Sequence, residues 1–197
     1  MLQKNIEKLV KRTQTIEVFY TPDCVWIGNT CVTAPLFNFD RLTEEQCYAL
    51  FNVPEEKRKK YVVLQRGLRE DETPYYRDAY PEEEPLAAAP LHVIYGGEHA
   101  VPLYTTRGVL FAAMEDLTPF IKEDDHTVFY ARWAEGEYAP RIAAKSGMLL
   151  KGLIHTIEYQ TQDKRFLSAL EELHRRTGAV MMQGYAPDAF PVIGGDI

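Results

Sequence analysis

The residues of this chain with the clearest capacity for acid–base chemistry lie around one predicted hairpin. Glu98 and His99 are adjacent, and Arg107 follows after the next predicted strand. A carboxylate beside an imidazole can act as an acid–base pair, although neighbouring residues of a strand point to opposite faces of their sheet. These three residues form the candidate pocket of an enzyme interpretation.

Other motifs argue against several common kinds of site. The five histidines lie far apart, and none forms an HExxH or HxH pattern. The three cysteines, Cys24, Cys31 and Cys47, lack the short spacing of a zinc knuckle and are too few for a disulfide framework. The chain also lacks the glycine-rich loops that bind phosphates. We therefore expect neither a metal site nor a cofactor.

Basic side chains form two groups that could contact a nucleic-acid backbone. They are Lys57, Arg58, Lys59 and Lys60 in one run, and Lys4, Lys8 and Lys11 along a predicted helix. The alternatives are an ordinary solvated helix face and lysines that protect an edge strand from mispairing. A net charge of -7 argues against a general polyanion binder but allows a local basic face.

The elements that would position these residues alternate between helices and short strands. Residues 2–66 predict a helix, three strands, a helix that begins with a capping box at Thr43 and Gln46, and a further strand. Residues 91–157 predict three strands, a helix over 114–121 and three more strands. Hairpin turns join most strands, so the pattern predicts an α+β fold of antiparallel sheets with a few helices on one face.

We predict a single domain over 1–197. Its halves, 1–68 and 91–160, are joined by an acidic, proline-rich insertion at 69–90, and a C-terminal helix and tail occupy 161–197. The insertion contains three tyrosines, which could anchor on a partner if the segment docks rather than lying on the surface.

Two resemblances to known groups of proteins suggest the biological context in which this protein acts. The pattern GVLFAAMEDLTPFI…TVFYARW…APRIAAKSGMLLKGLI within 107–157 resembles the βαβββ unit of DNA sliding-clamp domains, in which a strand enters a helix of the form F-x-x-x-x-L-x-x-x-I. That resemblance implies a clamp-like scaffold, although the helix is acidic where clamps are basic. The stretch from Trp26 to Thr43 resembles uncharacterised proteins carried on mobile elements and phages of gut Firmicutes.

These observations predict a non-enzymatic accessory or interaction module, with DNA processing on a mobile element as one setting. The alternatives are a small enzyme with a site near the 96–108 hairpin, and a self-associating structural protein that uses an exposed sheet edge. The N-terminus lacks the apolar core of a signal peptide, and no run is long enough to span a membrane. We expect a cytoplasmic protein without membrane contact, whose partners are another protein, a second copy of itself or DNA.

Overall fold

A computed structural model describes residues 2–88, 93–95, 97–124, 126–133, 140–157 and 168. Its helices are α1 Leu2–Thr13, α2 Glu44–Leu50 and α3 Met114–Ile121, with two 3-10 helices at Glu55–Lys60 and Thr73–Tyr76. Its strands are β1 Thr15–Tyr20, β2 Val25–Gly28, β3 Val32–Leu36, β4 Val62–Gly67, β5 Glu84–Pro85, β6 Ala87–Ala88, β7 Val93–Tyr95, β8 Glu98–Thr105, β9 Gly108–Ala113, β10 Thr127–Arg132, β11 Arg141–Ser146 and β12 Leu149–His155.

The strands form two sheets, and the fold is α+β as the sequence predicted. The larger sheet has the order β4-β1-β2-β3-β12-β11-β10-β5, and the smaller pairs β8 with β6, β7 and β9. The larger sheet is mixed rather than purely antiparallel, because β4 runs parallel to β1. The connection through α2 and the first 3-10 helix is long enough to return the chain in the same direction, whereas a hairpin reverses it.

Helices α1, α2 and α3 and the smaller sheet cover one face of the larger sheet. Alternate strand residues such as Ile16, Val18 and Ile154 are fully buried there. The N-terminus of α2 has the predicted capping box: Thr43 Oγ1 accepts from the Gln46 backbone N–H at 3.2 Å, and Gln46 Oε1 accepts from the Thr43 N–H at 2.8 Å. These local bonds satisfy helix N–H groups that would otherwise be unpaired.

The resemblance to a sliding clamp is not confirmed. Strand β9, which leads into α3, belongs to the smaller sheet, whereas β10, β11 and β12 belong to the larger one. The predicted βαβββ unit is therefore divided between two sheets, because α3 carries the chain from one to the other. Strand β3 pairs with β12, so strands of both sequence halves share the larger sheet.

The acidic segment from Arg69 to Glu83 packs on the opposite face of the larger sheet. Tyr75 is only 1% exposed and lies in an apolar cluster with Phe19, Trp26 and Leu153 of the sheet. Tyr76 contacts Trp26 edge-on, with 5.0 Å between ring centroids. The tyrosines of this segment therefore pack on the chain's own sheet.

A buried arginine holds this segment in place. The Arg132 side chain is 0% exposed, and its five N–H groups donate to the carbonyl oxygens of Tyr75, Arg77 and Asp78 and to the carboxylate of Glu83. Lys145 donates to the other oxygen of Glu83. Because each donor has a partner, the guanidinium can be buried without leaving an unsatisfied polar group.

The predicted C-terminal helix and tail at 161–197 lie outside the described residues, apart from Ser168. Within the described part of the chain, no helix is long and apolar enough to cross a membrane.

Candidate functional site

A cavity of about 320 Å³ opens on the segment-covered face of the larger sheet, next to its β4 edge. Its volume lies within the range of about 300–1,000 Å³ that is usual for small-molecule sites. Its lining residues are Glu17, Phe19, Thr30, Leu64, Gln65, Arg66, Tyr76, Arg141 and His155.

Strand register explains why residues so far apart in sequence meet here. Glu17 and Phe19 are on the face of β1 opposite the buried Ile16 and Val18, because side chains alternate along a strand. The parallel pairing of β4 sets Leu64 beside Glu17 and Arg66 beside Phe19. The antiparallel pairing of β11 with β12 sets Arg141 opposite His155.

Gly28 separates these two groups of residues and has no side chain. It pairs with Glu17 on one side and Thr33 on the other. A Cβ atom at this position would lie 1.8 Å from the Val32 carbonyl oxygen. Because β2 and β3 approach this closely beneath the cavity, no side chain fits at this position.

Arg66 is one of the two guanidinium groups of the pocket. It binds Glu72 through two parallel hydrogen bonds of 2.5 and 2.8 Å and stacks on the Phe19 ring at 4.6 Å. Glu72 is a buried residue that also accepts from the Arg69 backbone N–H. The Arg66 hydrogen bonds lower the pKa of Glu72 to about 2, despite the opposing effect of burial. This pair is fully ionised and fixes one wall.

Arg141 is the second guanidinium group, and it contacts His155. Its Nη1 is hydrogen-bonded to His155 Nε2, and its guanidinium lies over the Tyr75 ring at 5.4 Å. His155 is an exposed residue that lines the cavity. Enclosure of its ring by neighbouring groups, together with the positive charge of Arg141, lowers the pKa of His155 to about 4. At neutral pH the imidazole is uncharged and accepts the hydrogen bond through Nε2.

Two further ionisable groups line the cavity. Burial raises the pKa of Glu17, and the charges of Arg66 and Arg141 oppose that effect. Burial also raises the pKa of Tyr76 to about 12. Tyr76 is therefore a neutral phenol at physiological pH, and Glu17 is the acidic group that faces the cavity.

The predicted pocket residues lie elsewhere, and the fold does not bring all of them together. Glu98 and His99 are exposed at the start of β8. Arg107 lies beyond the other end of that strand, on the order of 25 Å along it at ~3.3 Å per residue. There it stacks on the Trp133 ring at 4.7 Å.

The predicted nucleic-acid contacts are on the helices and remain a prediction. Lys57, Lys59 and Lys60 are exposed on the first 3-10 helix, whereas Arg58 forms an ion pair of 2.6 Å with Glu45. On α1 the exposed lysines are Lys4, Lys8 and Lys11, the last of which contacts Glu7.

Strand β4 is an edge strand of the larger sheet. The alternative interpretation of the 57–60 lysines, in which they protect an edge strand from mispairing, requires this position. The exposed fractions of Val62 and Leu64 on this strand are 53% and 48%. Self-association through this edge remains a prediction.

Sequence reasoning missed Glu17, Arg66, Arg141 and His155 as a group. They are contributed by four strands, and no two are close enough in sequence to form a motif. The available signal was a charged residue in an otherwise apolar strand, such as Glu17 between Ile16 and Val18. Among the described residues there is no cluster of three or more histidine, cysteine, aspartate or glutamate side chains that could hold a metal ion.

Comparison with known proteins gives no relative: no family model, no curated protein and no solved structure matches the chain.

Proposed function

We propose that the protein is a non-enzymatic binding module that holds a small polar ligand in the cavity between Glu17, Arg66 and Arg141. The observation that carries this proposal is the convergence of fixed polar groups in a cavity of about 320 Å³. Sites that bind small molecules usually combine apolar walls with a few oriented polar groups. Phe19, Tyr76 and the polar groups together provide both.

The rigidity of the pocket supports binding. Arg66 is held by Glu72 and Phe19, and Arg141 by His155 and Tyr75. Side chains that are already ordered lose little conformational freedom when a ligand binds, so more of the interaction energy appears as affinity.

The protonation states favour binding over catalysis. A general acid or base is most effective when its pKa lies near the working pH. The pKa of His155 is about 4 and that of Tyr76 about 12, so neither group exchanges a proton readily near neutrality. Glu17 alone does not supply both an acid and a base.

A second candidate function is contact with a nucleic-acid backbone, which would also suit an accessory module in DNA processing. The exposed Lys57, Lys59 and Lys60 favour it, since mobile lysines on a surface can neutralise phosphates. This function would use the helix-bearing part of the molecule and does not require the cavity.

An NMR screen with small carboxylates, amines and amides tests the binding proposal. We expect hits that shift the resonances of pocket residues and that are lost in Thr30→Trp, where a bulky ring fills the mouth of the cavity. Lys122→Trp, at an exposed position after α3, is the matched control and keeps the hits. Hits that survive Thr30→Trp unchanged would contradict the proposal.

A further inference from the structure

The two buried or partly buried arginines on this face of the sheet differ in how their donors are used. Arg132 has a protein partner for each of its five N–H groups. Arg141, in contrast, donates to His155, and its buried Nε has no hydrogen-bond partner among the described residues. Arg132 is thus occupied by the fold, whereas the guanidinium of Arg141 lines the cavity with a single hydrogen-bond partner among the described residues.

The charged side chains that line the cavity have no net charge once Arg66 is counted together with its partner Glu72. Arg66 and Glu72 neutralise each other. In the part of the chain that the structure describes, neither Glu17 nor Arg141 forms an ion pair. One negative and one positive group therefore face the cavity, and a ligand with a net charge would satisfy one of them and be repelled by the other.

The separation of these two groups sets the length of a ligand that reaches both. Glu17 is on β1 and Arg141 on β11, four strands along the sheet order, or about 19 Å at ~4.8 Å per strand. The Arg141 guanidinium contacts His155 on β12, which is one strand nearer to Glu17, so the gap between the two charged groups is about three strands, or roughly 14 Å at most. Allowing about 2.8 Å for a charge-assisted hydrogen bond at each end, the charged ends of the ligand lie at most about 8 Å apart.

The cavity between the two charges offers apolar contact. Phe19 and Leu64 line it on the β1 and β4 side, and the Tyr76 ring lies on the segment side. A chain of methylene groups would be buried against these side chains, whereas a polar chain would lose hydrogen bonds to water.

We propose that the pocket takes a zwitterion of no net charge, with an ammonium group at Glu17, a carboxylate at Arg141 and a short apolar chain between them. This inference rests on the proposed binding function and specifies its ligand.

Four probes that share one chain length test the proposal on the full-length protein. They are ε-aminocaproate with both charges, caproate with the carboxylate only, hexylamine with the ammonium only, and caproamide with neither. Dissociation constants are obtained by NMR titration of the wild-type protein. We expect ε-aminocaproate to bind at least about tenfold more tightly than each of the others, because it alone makes both charge-assisted contacts. Glycine, which is too short to span the gap, should bind no better than caproamide.

Two substitutions assign the ends of the ligand. Glu17→Gln should weaken the binding of ε-aminocaproate and tighten that of caproate, because it removes both the attraction for the ammonium group and the repulsion of a lone carboxylate. Arg141→Gln should likewise weaken the binding of ε-aminocaproate and tighten that of hexylamine. Glu56→Gln and Arg41→Gln make the same charge changes at exposed positions and should have no effect. Thermal melts of each variant establish that it is folded.

The wild-type titrations distinguish the two levels of the proposal without any variant. If caproate, hexylamine or caproamide binds at the pocket as tightly as ε-aminocaproate, the zwitterion inference is overturned and the binding module stands. If none of the four probes shifts the resonances of the pocket residues, both the inference and the binding proposal fail.

Discussion

Replacing Arg132 by methionine tests how the acidic segment is attached to the sheet. Methionine replaces the apolar stem of the arginine side chain but removes the guanidinium and all five of its N–H donors. The carbonyl oxygens of Tyr75, Arg77 and Asp78 lose their Arg132 donors, and Glu83 keeps its hydrogen bond from Lys145. Removing one partner of a buried ion pair typically costs about 3–5 kcal/mol. This is a large part of the 5–15 kcal/mol by which folded domains are usually stable.

Urea denaturation followed by circular dichroism measures this change in the free energy of unfolding. For a chain of this size, about 3–5 kcal/mol corresponds to a fall in Tm of roughly 10 °C. Trypsin digestion of the folded variant should also show faster cleavage at Arg77, since the segment is no longer held by its backbone carbonyls.

Arg58→Met is the control, because Arg58 forms an ion pair with Glu45, whose side chain is 71% exposed. Exposed pairs contribute about 0–1 kcal/mol, so this variant should stay close to the wild type. If Arg132→Met costs no more than Arg58→Met, then Arg132 does not fasten the segment, and the account of this face is wrong.

Four further predictions concern single features of the fold. His155 should titrate with a midpoint of about 4 in an NMR experiment, and a midpoint near 6.5 would refute its placement. Because this pKa lies below the ordinary 6.5, the contribution of His155 to the free energy of unfolding falls as the pH is lowered below 6.5. Burial raises the pKa of Asp116 from 3.8 to about 6, so between these pH values the folded state holds a proton that the unfolded chain releases. The stability that the protonated carboxyl provides is therefore present at low pH and is lost as the pH rises through about 6. Asp116→Asn should therefore stabilise the protein by up to about 3 kcal/mol at pH 7 in urea denaturation and give no gain near pH 4; an equal gain at both would exclude the charge as its cause. Gly28→Ala should lower the Tm by several degrees, since its Cβ would meet the Val32 carbonyl oxygen at 1.8 Å; an unchanged Tm would show that the two strands are not so close. Neutralising the basic residues of 57–60 should weaken salt-sensitive binding to duplex DNA in a fluorescence anisotropy assay, and no wild-type binding at low salt would remove the nucleic-acid proposal.

Local features of the fold could be predicted from sequence because short-range physics decides them. The capping box at Thr43 depends on hydrogen bonds between residues three apart, and the helix over 114–121 on its apolar periodicity. The hairpin between β7 and β8 likewise follows from its glycine turn. In each case the signal and the structure lie within a few residues of each other.

Strand pairing could not be predicted in the same way. The parallel pairing of β4 with β1 joins residues about fifty positions apart, and nothing local distinguishes it from a hairpin return. The division of the 107–157 unit between two sheets depends on where α3 packs. The clamp resemblance was based on element order, which does not specify the sheet to which each strand belongs.

The candidate site could not be predicted from the sequence for a related reason. Glu17, Arg66, Arg141 and His155 come together only when four strands are in register. A charged residue in an apolar strand is a usable signal, but it identifies single positions and not their partners. In contrast, Glu98 and His99 were prominent because they are adjacent in sequence, and adjacency along a strand places side chains on opposite faces.

The most direct test of the binding proposal is a map of backbone amide chemical shifts recorded with the bound fragments. The account predicts that the largest changes occur at Glu17, Thr30, Arg66 and His155, on four different parts of the chain that line one cavity. Changes confined to the hairpin between Glu98 and Arg107, or no changes with any fragment, would contradict it.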